Sequence, residues 1–250
     1  MISTSKENKS DNFVEGQFNS AYPDGIENHY WIVSRNYMIL DEVIKNKKQI
    51  TLDVGCGRGI VVNFLRKKAV ECYGVELSNL KISDELKPYI ETGKSAEAIS
   101  ILNINKVNTI LLLDVLEHIK NPKAFLVELI TNFPAVDKII VSLPARSELW
   151  SNYDEYYGHY RRYSIDSIDS DFLLHNWEVS SKKYAFKLLY LPALILAKFR
   201  INRGTTIQTP PKNLRSLHFL VAMLIRLVDV IIPNWVYGTS IFFVIERKYI

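Results

Sequence analysis

The chain has 250 residues, 48% of them hydrophobic and 23% charged, with 31 Lys and Arg against 27 Asp and Glu for a formal net charge of +4. This is the balance of a folded globular protein long enough to bury one sizeable core, and it excludes a disordered or low-complexity chain. The charge is too small for the concentrated basic stripe of a duplex binder, so nucleic acid is not an expected partner.

Residues 1–12 are Ser, Lys, Asn and Glu with almost nothing apolar, and they read as a disordered tail. They lack the apolar run of a secretory signal, so a cytoplasmic protein is expected. Residues 13–48 read as an N-terminal helical cap, and 49–250 as the main domain. There 50–54 is a short apolar strand, followed by a glycine-rich turn, a helix over 60–68 and a strand over 70–76. The alternation continues with a helix over 79–86, a strand over 107–113, a helix over 122–133 and a strand over 138–143. Such a rhythm implies crossover units and a parallel sheet. The Leu-rich run 110–113 belongs in its centre, covered on both faces.

After Pro144 the rhythm breaks. Residues 150–163 are aromatic and charged with no periodicity, so 144–163 reads as a substrate-side loop. A helix over 164–175 with Ser164 as N-cap leads to a strand over 177–184. An apolar, basic insertion fills 185–232, and 237–247 closes the chain as an antiparallel strand. The expected fold is therefore α/β, a doubly wound, seven-stranded, mostly parallel sheet with an N-terminal helical cap and a C-terminal helical insertion. Cys56 and Cys72 have no paired spacing, so reduced thiols and no metal are expected.

Glycine between a strand and a helix lets backbone approach a ligand closely. Here Gly55, Gly57 and Gly59 follow Asp53, with Cys56 between the first two. A dinucleotide fingerprint needs its third glycine three positions after the second, and this turn has it two after. Asp53 would repel a pyrophosphate yet suit the ammonium of an amino-acid-bearing nucleoside, which favours S-adenosyl-L-methionine over NAD. Glu76, ending the next strand, is placed to accept from ribose hydroxyls; the bland alternative is a solvated turn Glu.

Residues 52–59 resemble the first motif of class I S-adenosylmethionine-dependent methyltransferases, and 108–122, containing Asp114-Val115-Leu116-Glu117-His118, resembles their fourth-strand motif. The resemblance implies that Asp53, Gly55, Cys56 and Gly57 hold the methionine part and that Glu76 and Leu77 hold the ribose. It further implies that Ser95, Ala96 and Glu97 flank the adenine, and that Asp114, Leu116 and His118 lie beside the sulfonium. The segment 29–36 is similar to a helix preceding the core in methyltransferases of glycan and cell-envelope biosynthesis. In it Arg35 has a fork of donors suited to a carboxylate, either of cofactor or substrate, or else forms a surface salt bridge.

The segment 154–163 resembles that subgroup's Gly-His, Arg-Arg-Tyr loop, which implies substrate contacts from Tyr160, Arg161, Arg162 and Tyr163; a solvated loop with aromatic anchors is the alternative. Methyl transfer is an in-line displacement that needs alignment more than acid–base power. For a hydroxyl acceptor, His118 and His159 are the candidate bases near neutral pH, or else hydrogen-bonded structural histidines.

Between residues 179 and 228 there is no Asp or Glu but nine Lys and Arg. Its apolar runs are shorter than the about 20 residues that span a bilayer. On a helical wheel Arg215, His218, Ala222, Arg226 and Asp229 share one narrow stripe, leaving a wide apolar face. Burial in the core, a homodimer interface and a peripheral position at the membrane surface all fit that face; the last suits a lipid-linked acceptor. The rival functions are a nicotinamide-dependent oxidoreductase on the same fold class and a noncatalytic S-adenosylmethionine-binding module.

Overall fold

The computed structural model describes residues 15–45 and 49–248. The expected tail, residues 1–12, lies outside them. Two helices, α1 (Glu15–Ala21) and α2 (Tyr30–Val43), precede β1 (Ile50–Val54), α3 (Ile60–Lys67), β2 (Glu71–Glu76), β3 (Ile90–Thr92) and β4 (Val107–Leu113). Then come α4 (Pro122–Asn132), β5 (Lys138–Pro144), α5 (Asn152–Tyr157), α6 (Ile168–Asp171), β6 (Trp177–Ala185), α7 (Tyr190–Lys198), α8 (Arg215–Ile231) and β7 (Ser240–Arg247). The sheet runs β3-β2-β1-β4-β5-β7-β6, with β7 antiparallel to both neighbours and every other pairing parallel.

The apolar run of β4 is explained by burial on both faces. Ile110 and Leu112 pack on one side with Leu52, Ile139 and Phe243, while Leu111 and Leu113 pack on the other with Ile140 and Phe242. Pro122 sits in the first turn of α4, where its missing N–H costs nothing, and the Asn121 side chain caps it by accepting from Ala124 N.

Two expected helices are corrected. Residues 79–86 form an irregular crossing closed by one turn, Leu86 N to Ser83 O at 2.9 Å. Ile82 and Leu86 are buried at helical spacing, but Pro88 lacks an N–H and disfavours helical backbone before it. The short strand β3 follows instead. The helix over 164–175 contracts to α6. The Ser167 and Ser170 hydroxyls donate to Ser164 O and Ser167 O, bonds that compete with helix propagation. In the loop after β5, α5 is an unexpected helix. A capping box starts it, with the Ser151 side chain and backbone bonded to Asp154.

The insertion forms α7 and α8, and α8 packs on α2. Its narrow polar stripe faces inward: His218 Nδ1 accepts from Tyr30 N, Arg226 pairs with Asp41 at 2.5 Å, and Asp229, 6% exposed, accepts from Phe186 N and Lys187 N. Ala222 and Ile225 are buried in the same seam. The wide apolar face therefore points outward, with Leu217, Leu220, Leu224, Leu227, Val230 and Ile231 all exposed by more than half. Core burial, one of the three sequence readings, does not describe that face. No helix among the described residues is long and apolar enough to cross a membrane.

Candidate functional site

The chain leaves β1 for β2 on one side and β4 for β5 on the other, so the sheet has its switch point between β1 and β4. Open α/β sheets bind ligands in the crevice at the carboxyl ends of such strands. A cavity of about 740 Å³ opens there, roofed by α1, α2, α5 and α7.

At one end lies the glycine turn. Gly55 and Gly57 have φ of +76° and +53°. A Cβ on Gly55 would lie 2.9 Å from Val115 Cγ2, and one on Gly57 2.9 Å from the Tyr22 ring. Glu76 Oε2 accepts from Gly57 N and Oε1 from Ser78 N, both at 2.9 Å. Burial raises its pKa, and those backbone N–H groups oppose the rise. Arg35, Gly55, Glu76, Leu77, Ser95, Ala96, Glu97 and Asp114 all line the cavity.

Four members of the expected cofactor set do not line it. Asp53 is 2% exposed beneath the turn, and burial pushes it up to about 7, opposed by Arg35 and reinforced by Glu76. The Cys56 thiol is buried and driven well above its ordinary pKa by that burial, an inert packing group. Gly57 is covered by Tyr22, which α1 delivers over the turn and Arg58 holds by donating to Tyr22 O and Asn19 Oδ1. Leu116 is fully buried in the core. Asp53 and Cys56 are thus packed around the glycine turn, whereas Leu116 belongs to the core that includes Leu52 and Leu112.

Arg35 forms a partly buried ion pair, its own side chain 7% exposed and that of Asp114 29%. Its Nη1 lies 2.5 Å from Asp114 Oδ2, and its guanidinium stacks 4.5 Å over the Trp31 ring. Asp114 also accepts from the Ser142 hydroxyl at 3.1 Å. It takes a left-handed φ of +58°, a conformation that Asp and Asn adopt more readily than most residues.

At the other end the loop after β5 closes on Asp154, which is fully buried. It receives Arg162 through two bonds of 2.7 and 3.0 Å, His159 Nδ1 at 2.9 Å, and the Ser151 backbone and hydroxyl. Burial raises its pKa, but the His159 and Arg162 bonds outweigh it and hold the carboxyl down at about 2. His159 and His118 are T-shaped neighbours with ring centroids 4.8 Å apart, and both line the cavity. Burial, then His159, lowers His118 to about 3. This favours its neutral form, which suits the positioning or structural role that the sequence leaves open beside that of a base. Beside it Glu117 is 1% exposed with no hydrogen-bond partner for either carboxylate oxygen, and burial, reinforced by Asp114, raises its pKa well above the usual range.

Of the four expected substrate contacts, only Arg162 lines the cavity, and its donors go to Asp154 and Ala145 O. Tyr163 is corrected to a core residue, 5% exposed, its hydroxyl donating to Leu116 O. Arg161 donates to Lys120 O, and the exposed Tyr160 is tied by its backbone N–H to Glu117 O. These bonds strap the loop to the β4 motif. Tyr22, Glu117 and Asp154 were assigned no role from the sequence, although Glu117 stands in the 114–118 motif and Asp154 in a Ser-x-x-Asp capping spacing.

A family model described as a methyltransferase domain matches residues 33–182, more than half of the chain. Among solved structures, the chain is similar to a Haemonchus contortus phosphoethanolamine N-methyltransferase 2 bound to phosphomonomethylethanolamine and S-adenosylhomocysteine, at 15% identity and a TM-score of 0.51. That match covers 86% of this chain and 53% of the other, so the chain spans about half the length of the Haemonchus enzyme. The plantazolicin methyltransferase BpumL, bound to a pentazolic desmethylPZN analog and S-adenosylhomocysteine, matches at 12% identity and a TM-score of 0.51 over 91% of this chain and 87% of its own. At such identities the likeness is one of fold. No curated protein sequence matches. The family match runs from within α2 into β6 and takes in both motifs at the switch point, and on that ground the chain belongs to the methyltransferase domain family.

Proposed function

We propose that this enzyme methylates an amphipathic acceptor, a lipid-linked glycan or similar cell-envelope precursor, that it meets while resting peripherally on a membrane. S-adenosyl-L-methionine supplies an electrophilic methyl on a sulfonium, so the chain's own task is to align the acceptor and exclude water. Glu76 and Leu77 are assigned to the ribose, Ser95, Ala96 and Glu97 to the adenine, Gly55 to the methionine part, and the Arg35–Asp114 pair to the region of the sulfur. The residues fit such a group: Gly55, with a left-handed backbone and no room for a Cβ beside Val115, brings main chain to the cavity wall, and the buried Glu76 carboxylate lies on the same wall. Asp53 is assigned a supporting place beneath the turn. His118 and His159 hold the reacting group of the acceptor, with Asp154 and Arg162 fixing His159.

One observation carries the acceptor assignment. Leu189, Pro192, Ala193 and Leu196 on and beside α7 line the cavity, while Leu191 and Ile195 of the same helix, Phe199 just after it, and the apolar face of α8 are exposed. The cavity thus has a wall on a helix whose other residues present exposed apolar side chains, and such exposed apolar residues mark candidate interaction surfaces. Lys198, Arg200, Lys212 and Arg215 are exposed at the ends of those helices, where anionic headgroups attract them by about 1 kcal/mol each. Sedimentation with neutral and anionic liposomes tests this. Salt-sensitive binding to anionic vesicles that Leu220→Asp with Leu224→Asp abolishes is expected. Equal, negligible binding to both contradicts the membrane reading, and a shift of the variant to a smaller species assigns the face to a homodimer.

A further inference from the structure

We infer that Glu117, His118 and His159 form a binding site for one divalent transition-metal ion in the cavity. One ligand atom from each lies within 4.8 Å of the others. Ligand atoms around a tetrahedral ion at about 2.1 Å stand about 3.4 Å apart, so modest side-chain rotations close the site. Two further features point the same way.

The first is Glu117 itself. A carboxylate that is 1% exposed, lines a cavity and offers two oxygens with no hydrogen-bond partner is expensive to maintain, and a cation is the partner that would offset its desolvation. The second is the outer shell of His159. Its Nδ1 faces the buried Asp154 at 2.9 Å, and Asp154 is locked by the Arg162 fork. A carboxylate on one ring nitrogen fixes the other as the lone-pair donor, the arrangement that orients metal-bound histidines. Two imidazoles and one carboxylate suit ions such as Zn²⁺ or Mn²⁺ and leave coordination positions open. The site stands on these residues alone; its use rests on the proposed methyl transfer. There the ion would bind an acceptor hydroxyl and acidify it, so that the O–H proton leaves to water as the O–C bond forms and the S–C bond breaks, giving neutral S-adenosylhomocysteine.

Chelator-stripped protein titrated calorimetrically with MnCl₂ and ZnCl₂ tests the site. At least one of the two ions should bind at one per chain. Glu117→Gln and His159→Ala should each weaken it by at least about tenfold, and Asp154→Asn by about 10–100-fold. S-adenosylhomocysteine is titrated into the same samples, so that failure of the ion site is separable from failure of the methyltransferase reading. Glu117→Gln is nearly isosteric and removes no hydrogen bond, so it should fold even if the loop variants do not. Binding of neither ion to the wild type, or binding that Glu117→Gln leaves unchanged, overturns the inference.

Discussion

Asp114→Asn isolates the electrostatic part of the pair that joins α2 to the end of β4. Asn keeps the size, accepts from the Arg35 guanidinium and tolerates the +58° φ of this position, so backbone strain and lost packing are removed from the comparison. What remains is an Arg35 side chain 7% exposed and stacked on Trp31 without its counter-ion. Deleting one partner of a fully buried pair costs about 3–5 kcal/mol. Asp114 is 29% exposed and the hydrogen bond survives, so screening reduces the expected loss to about 2–3 kcal/mol. For a chain of this length that is a fall in Tm of about 5–10 °C. Urea denaturation of Asp114→Asn, Arg35→Met and the double variant measures it. With Arg35 replaced by an apolar side chain of similar reach, Asp114→Asn should cost less than about 1 kcal/mol, giving a clear coupling energy. Equal costs in both backgrounds, or a loss below about 0.5 kcal/mol in the first, would refute the reasoning.

Asp53, held at about 7 by burial, keeps a proton in the native state that the unfolded chain releases above pH ~4. Unfolding free energy from this group therefore falls as pH rises from about 4 to 7, by up to ~4 kcal/mol, and Asp53→Asn should flatten that limb in urea titrations at pH 5 and 8. Asp154 has the opposite sign: its pKa is depressed to about 2, so its contribution is complete above pH ~4 and is lost as pH falls toward 2, and Asp154→Asn should remove that acid limb and expose the loop at 150–163 to protease. In Gly57→Ala the new Cβ meets the Tyr22 ring at 2.9 Å on a left-handed backbone; it should cost about 1–3 kcal/mol and hasten proteolysis near Tyr22, an acceleration that the added Tyr22→Ala change should not show unless the clash is elsewhere.

The doubly wound, mostly parallel sheet and the place of the cavity were legible because β1, β4 and β5 carry apolar runs that only a doubly covered sheet explains, and because a glycine turn and a carboxylate punctuate two successive strand ends. The strand-end residues Gly55, Glu76 and Asp114 accordingly fall on the cavity wall. Periodicity failed where local competition decides the backbone. Ile82 and Leu86 have helical spacing but supply a single turn before Pro88, and the serines of 164–170 bond their own backbone. The loop after β5 misled differently. His159, Arg162 and Tyr163 signalled polar chemistry, yet Arg162 and Tyr163 spend their donors on Asp154, Ala145 O and Leu116 O, a distinction fixed by three-dimensional partners alone. Tyr22 could not be found from the sequence because its role depends on α1 folding back across residues 57 and 58. For α8 the wheel located the polar stripe correctly, but the side facing the core depends on Asp41 and Tyr30, far away in sequence.

The cavity at the ends of β1 and β4, with Glu76 at its rim, is the proposed S-adenosylmethionine site. Calorimetric titration of S-adenosylhomocysteine into the wild type and Glu76→Gln tests this most directly, with circular dichroism to establish that the fold is retained. One ligand per chain is predicted, with the variant weaker by about 1–3 kcal/mol for the lost hydrogen bonding to a charged group. Equal affinity in the two proteins, or no heat of binding in either, would contradict it.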